Sequence, residues 1–200
     1  SGVFDRLILS NDYPSIAQIA KSYGCEVPFM RPKELAGDNT QGALAIEHAL
    51  QWFIEHENYE PDFVMVLQPT SPLRQPFHIQ EAVKLILESG ADSVMSVSEM
   101  PEQFSPYKAM TVDEQGLLNL FSGGEVWSRI SLRQYLPKTY WSIGSIYLFK
   151  PKHVFNKQEP LYGKKVAPYY VEAKYAADIN VPDDWEKAED KYKRLQNESR

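Results

Sequence analysis

The segment that most restricts this chain is Asp62-Phe63-Val64-Met65-Val66-Leu67, a nearly unbroken apolar run that gives way at once to Gln68-Pro69-Thr70-Ser71-Pro72-Leu73-Arg74. Successive side chains of a strand point to opposite faces, so a strand apolar at every position needs cover on both. Helices on each side of a sheet meet that need, and the flanking sequence supplies them. Leu7-Ile8-Leu9 closes a candidate strand over 3–10, and Glu26 to Met30 is a short second one. Between them Ile16, Ala17, Ile19, Ala20 and Tyr23 recur at helical spacing, with Gly24 as the terminator. Helices are expected over Asp38 to Ile54, Ile79 to Leu87 and Pro182 to Leu195, and further strands over 93–97, 143–149 and 174–179. Repeated strand, loop and helix units predict an α/β fold with a mostly parallel sheet flanked by helices.

From Met100 to Trp141 the pattern breaks. Pro, Gly, Ser and aromatics accumulate with little period, as in an inserted lobe (100–141) of loops and short strands within a single domain spanning 1–200. Phe104, Tyr107, Phe121, Trp127, Tyr135, Tyr140 and Trp141 are many aromatics for a bare loop, which predicts a homodimer built on this lobe.

Composition narrows the partners. A hydrophobic fraction of 43% supports a core, and a net charge of −6 argues against a nucleic-acid partner without excluding a locally positive pocket for a small anion. The single cysteine, Cys25, reads as a small core residue. His48, His56, His78 and His153 show no metal-ligand spacing and read as surface or capping residues. With no apolar run near the roughly 20 residues of a bilayer span and no secretory signal, a cytoplasmic location without membrane attachment is expected.

In an open α/β sheet, ligands bind beyond the carboxyl ends of the strands. Ser10-Asn11-Asp12, Gln68 to Arg74 and the surroundings of Asp178 are the loops to inspect. Pro69 and Pro72 stiffen the second of these, and Gln68 can both donate and accept hydrogen bonds. On residues alone, a strand-to-helix turn with Pro and Ser as caps is the favoured reading.

Taken together, FDRLILSND, CEVPFMRPKELAGD, VMVLQPTSPLR, GADSVMSV, SLRQYLPKTY and AADINVPDDW resemble, in order and wording, the acylneuraminate cytidylyltransferases, the CMP-sialic acid synthetases. The similarity runs from Val3 to about Glu189. It implies a Rossmann-like sheet with a small dimerisation lobe, of the nucleotide-diphospho-sugar transferase type. It also implies transfer of CMP from CTP to a nine-carbon 2-keto sugar acid, N-acetylneuraminate or a relative, with release of pyrophosphate and help from Mg²⁺. Carried over by position, Arg31 would contact the nucleotide. Gln68, Ser71, Arg133 and Tyr147 would face the sugar acid. Asp178 would be the catalytic residue and a metal ligand, with Asn180 as a second metal ligand through its amide oxygen. Surface ion pairing for Arg31 and Arg133, a core place for Tyr147 and helix capping for Asp178 are the structural alternatives.

The chain departs from that family at four points. A glycine- and lysine-rich phosphate loop of the form ARxGSKxxPxKN, about one strand–loop–helix unit, is expected ahead of Ser1. The second aspartate of the usual DID is Asn180. Gly42 stands where a hydroxyl residue is common, and Ile143-Gly144 stands where the family commonly has Asn-Gly. These departures leave room for a legionaminic-type sugar acid as substrate, or for a catalytically inactive binding or dimerisation protein of the same fold.

Overall fold

The computed structural model describes residues 1–156 and 161–198. The elements in chain order are α1 (Pro14–Ser22), α2 (Gly42–Glu57), β1 (Val64–Val66), α3 (Pro76–Ser89), β2 (Ser93–Glu99), β3 (Met110–Val112), β4 (Leu118–Leu120), β5 (Tyr140–Phe149), α4 (Lys152–Phe155), β6 (Val166–Tyr170) and α5 (Pro182–Glu198). One sheet has the strand order β1-β5-β2-β6, and β3 with β4 forms a separate two-stranded sheet. The chain divides into two compact units. The first is Ser1–Val66, Gln75–Met95 and Ile146–Ala167; the second is Leu67–Arg74, Ser96–Ser145 and the chain from Pro168.

Within the first unit the helices begin and end where local chemistry dictates. Pro14 and Pro76 open α1 and α3, where a missing N–H costs nothing. His78 is buried at the start of α3, and its Nδ1 accepts the Gln75 N–H at 3.1 Å, so this histidine is a cap. Gly24 and Gly90 follow the helices at φ of 86° and 64°, a region that costs glycine little. The core is built from Leu50 of α2, Phe149 of β5 and Val154 of α4. Ile46, Val64, Val66, Leu161 and Tyr162 pack around them.

The sheet is mixed. β1 runs antiparallel to β5, with Val64 opposite Phe149 and Val66 opposite Tyr147. Ile8 meets Glu26 in an isolated parallel bridge, so the strands expected over 3–10 and 26–30 reduce to that bridge. Glu26 N–H reaches Leu7 O at 2.7 Å and Leu9 N–H reaches Glu26 O at 2.9 Å. Continuing that ladder would require an N–H from residue 28, which is proline, and the pairing stops there. Arg6 still ties this region together, binding Glu26 and Glu57 while its guanidinium lies 4.4 Å over the Phe53 ring.

The second unit holds the segment from 96 to 145. β3 and β4 are antiparallel, with Val112 opposite Leu118. Their turn is organised by Asp113, whose carboxylate accepts the Leu117 and Gln115 N–H groups at 2.9 and 3.0 Å and the Asn119 amide at 2.9 Å. These donors, the Leu117 backbone foremost, hold its carboxyl below the ordinary aspartate range. The strand expected over 174–179 is absent. The chain turns there, and Lys191 of α5 donates its Nζ to the carbonyls of Ala173 and Ala176, groups a sheet ladder would have used. The last strand is instead β6, whose apolar run is broken in sequence by Pro168 and preceded by Lys164 and Lys165.

Phe149 is fully buried, so Phe149→Ala should lower stability by about 3–5 kcal/mol. The check is the shift of the urea unfolding midpoint with its slope unchanged.

Candidate functional site

In the second unit a loop, a strand and several polar side chains are assembled around Gly144. This residue has a φ of 68° within β5, a conformation that interrupts the regular strand and exposes the carbonyls on either side. The Gln68–Arg74 loop takes both of them. Ser71, 3% exposed, donates its Oγ to Ile143 O at 3.0 Å. Arg74 donates Nη1 to Ser145 O at 2.7 Å and reaches back to Gln68 O at 3.3 Å. Gln68 O also accepts the Ser71 N–H at 3.2 Å, closing the turn. Burial draws the Arg74 guanidinium below its usual range, an effect of lost hydration.

Between the two clamped carbonyls lies the Gln68 side chain. A Cβ built on Gly144 would fall 2.3 Å from Gln68 Oε1, so the amide occupies the space that any other residue would fill. Gln68 is itself exposed to solvent, as a ligand-facing group must be. The glycine is therefore needed twice, for its φ and for its missing side chain.

The same loop carries the segment with the acidic candidates. Ile179 N–H donates to Thr70 O at 3.0 Å, which fixes Asp178 beside the loop. Asn180 Nδ2 donates to Asp178 Oδ2 at 2.9 Å. Asp184, at the start of α5, is committed elsewhere: its carboxylate takes the Asn180 and Val181 N–H groups at 3.2 and 3.3 Å and pairs with Lys187 at 3.1 Å. The Lys187 contact and then the Asn180 backbone hold its carboxyl below the ordinary range. Asp184, not Asp178, is thus the cap of the terminal helix.

The expected residues are therefore partly gathered. Gln68, Ser71, Asp178 and Asn180 meet in the second unit through the loop and its backbone bond to Ile179. Ser71 is buried and acts on Ile143 O, a structural place. Arg133 lies on the segment between β4 and β5, in a single 3-10 turn (Arg133–Tyr135), with its side chain 81% exposed and paired to Glu102.

Arg31 belongs to the first unit, where its Nε donates to Ser10 Oγ at 3.1 Å, Nη2 binds Ser10 O, and its N–H donates to Asn11 O at 2.9 Å. It therefore joins the Ser10-Asn11 loop. Tyr147, also in the first unit, stacks on Tyr162 with centroids 5.5 Å apart and packs on the Leu50–Phe149 core. Burial, then the nearby Tyr147, pushes the Tyr162 phenol above its ordinary range. Arg74 and Gly144 are the members that sequence reading passed over. The signal for the first was an arginine closing a proline-stiffened loop, and for the second a lone glycine inside an apolar strand.

Among the described residues no group of three or more His, Cys, Asp or Glu side chains is placed to hold a metal ion. Asp178 offers one carboxylate, and Asn180 turns a donor towards it. That set suits a hard cation bound through one carboxylate with the remaining positions left to water and phosphate oxygens. No described helix is long and apolar enough to cross a membrane.

The architecture has a counterpart among solved structures. The structure of a CMP:2-keto-3-deoxy-manno-octonic acid synthetase complexed with CTP superposes with a TM-score of 0.65 over 98% of this chain and 83% of that one, at 14% identity. That likeness establishes the fold. The cytidylyltransferase family profile matches residues 1–199. A CMP-N,N′-diacetyllegionaminic acid synthase of Legionella pneumophila is 30% identical, the match covering 92% of this chain and 77% of the relative. An N-acylneuraminate cytidylyltransferase of Escherichia coli is 31% identical over 94% of this chain and 42% of its own length. The chain belongs to the cytidylyltransferase family, which makes it a nucleotidyltransferase and bears out the resemblance drawn from LQPTSPLR and its companion segments.

Gly144→Ala should unsettle the loop, since alanine must adopt φ of 68° and displace the Gln68 amide. A loss of about 1–3 kcal/mol is expected, together with a larger fractional loss of turnover than of stability. Thermal melting and initial rates measured on the same preparation check both.

Proposed function

We propose that this protein transfers CMP from CTP to the anomeric hydroxyl of a nine-carbon 2-keto sugar acid. N-acetylneuraminate and the N,N′-diacetyllegionaminic type are the two leading substrates, since relatives carrying both names match over most of the chain. The observation that carries the reading is the junction of Gln68 with Asp178 through the Thr70–Ile179 backbone bond. It holds the loop that carries an uncharged, two-way hydrogen-bonding side chain against the segment that carries a carboxylate. The first suits sugar hydroxyls and amides, and the second suits a cation accompanying a triphosphate.

In the reaction the anomeric oxygen bonds to the α-phosphorus of CTP as it loses its proton. The bond from that phosphorus to the bridging oxygen breaks, and pyrophosphate leaves. Mg²⁺ held at Asp178 would supply neutralisation of the phosphate charge that builds up. Asn180, with its N–H on Asp178 Oδ2, orients that carboxylate and leaves the other oxygen open. Gln68 orients the sugar acid. Catalysis on this reading comes from positioning and electrostatics.

Pyrophosphate release with CTP should appear for at least one of N-acetylneuraminate, N,N′-diacetyllegionaminic acid and pseudaminic acid. Complete inactivity of the folded protein across that panel would refute the assignment. Asp178→Asn should cut kcat by about a hundredfold or more while far-ultraviolet circular dichroism stays unchanged.

We also propose that the protein works as a homodimer through the segment between β2 and β5. Phe104, Phe121, Trp127 and Tyr135 there are 67–82% exposed, apolar area of the kind that marks an interaction surface. Light scattering should give a mass of twice 23.0 kDa at micromolar concentration, and Trp127→Glu should return it to the single-chain value.

A further inference from the structure

Arg74 sits in the candidate site, yet the reaction as described gives it no task. Its hydrogen-bond acceptors are neutral carbonyls, Ser145 O at 2.7 Å and Gln68 O at 3.3 Å, the latter approached by both terminal nitrogens. A planar guanidinium can span two acceptors with fixed geometry, whereas an ammonium is a point donor on a flexible stem. The two carbonyls it spans are not incidental. One belongs to the residue immediately after Gly144, and the other to Gln68, whose amide lies against Gly144. Ser71 holds the carbonyl on the other side of Gly144. The Gln68 side chain is thus set between two fixed points of β5, and its own backbone is the third.

We infer that Arg74 is a positioning residue for sugar-acid recognition: by bridging Gln68 O and Ser145 O it fixes the Gln68 amide over Gly144 in the orientation that receives the substrate. The inference rests on the assignment of Gln68 to the sugar acid. Arg74 touches neither substrate and acts through the loop, since its Nη1 and Nη2 donate to the carbonyls of Gln68 and Ser145. Burial also draws the guanidinium below its ordinary range, a cost that a fixed internal brace accepts for geometry.

The test is a double-mutant cycle on the whole protein, with N,N′-diacetyllegionaminic acid and N-acetylneuraminate as probes and pyrophosphate release as the readout. Arg74→Ala should raise KM for the sugar acid about ten- to a hundredfold, the scale of a small misplacement transmitted from outside the reacting atoms, with KM for CTP changed by less than about twofold. Arg74→Lys should fall between the two, since one ammonium satisfies one carbonyl but not the bridge. Combined with Gln68→Ala, Arg74→Ala should add nothing, because its effect passes through Gln68. Effects that multiply would show that Arg74 meets the substrate itself and would overturn the proposal. So would an equal rise in KM for CTP, or a protein that fails to fold in both Arg74 variants. An unchanged sugar-acid KM in Arg74→Ala beside a raised one in Gln68→Ala overturns the proposal alone. An unchanged KM in Gln68→Ala removes the Gln68 assignment and the proposal with it.

Discussion

The carbonyls on either side of Gly144 are the fixed points of the candidate site. A strand that adopts φ of 68° in mid-course turns polar groups out of its ladder, and such groups must find donors or cost stability. Ser71 and Arg74 supply those donors, and in doing so they seat the whole Gln68–Arg74 loop. From the loop the order passes on: Thr70 O holds Ile179, which places Asp178, while Lys191 braces the turn just before it. A single glycine within β5 thereby organises the Gln68 loop and, through it, the segment that carries Asp178.

That dependence explains why the loop reads so differently in isolation and in place. As sequence, Gln68 to Arg74 is a turn stiffened by two prolines. In the structure those prolines restrict the backbone, but the side chains between and after them are what reach β5. Ser71 is buried for this purpose. Gln68, by contrast, remains exposed.

Much of the fold was legible because it rests on local rules. Helices α1, α2, α3 and α5 follow apolar periodicity and their proline and glycine boundaries, and β1, β2 and β5 are apolar runs long enough to stand out. The failures have non-local causes. The pairing of 3–10 with 26–30 stops at a missing N–H on Pro28, which no hydrophobicity pattern reveals. The segment 174–179 looks extended, yet its Ala176 carbonyl and that of Ala173 just before it are claimed by Lys191 from a helix that follows. The antiparallel β1–β5 pair joins residues some eighty positions apart, and its direction depends on topology. For the site, resemblance supplied the residue types, and geometry sorted them. Tyr147 packs on the Leu50–Phe149 core, Arg133 pairs with Glu102, and Asp184 takes the capping duty that might have fallen to Asp178. Arg74 was hidden because its partners are backbone atoms, which leave no trace in side-chain pattern.

The bond from Ile179 N–H to Thr70 O has a further consequence. It is made by main chain on both ends, so its length does not depend on which side chains stand at 70 and 179. Substitutions at those two positions can accumulate without altering the reach from Gln68 to Asp178. The two segments can thus drift in sequence while the backbone link between them is inherited intact.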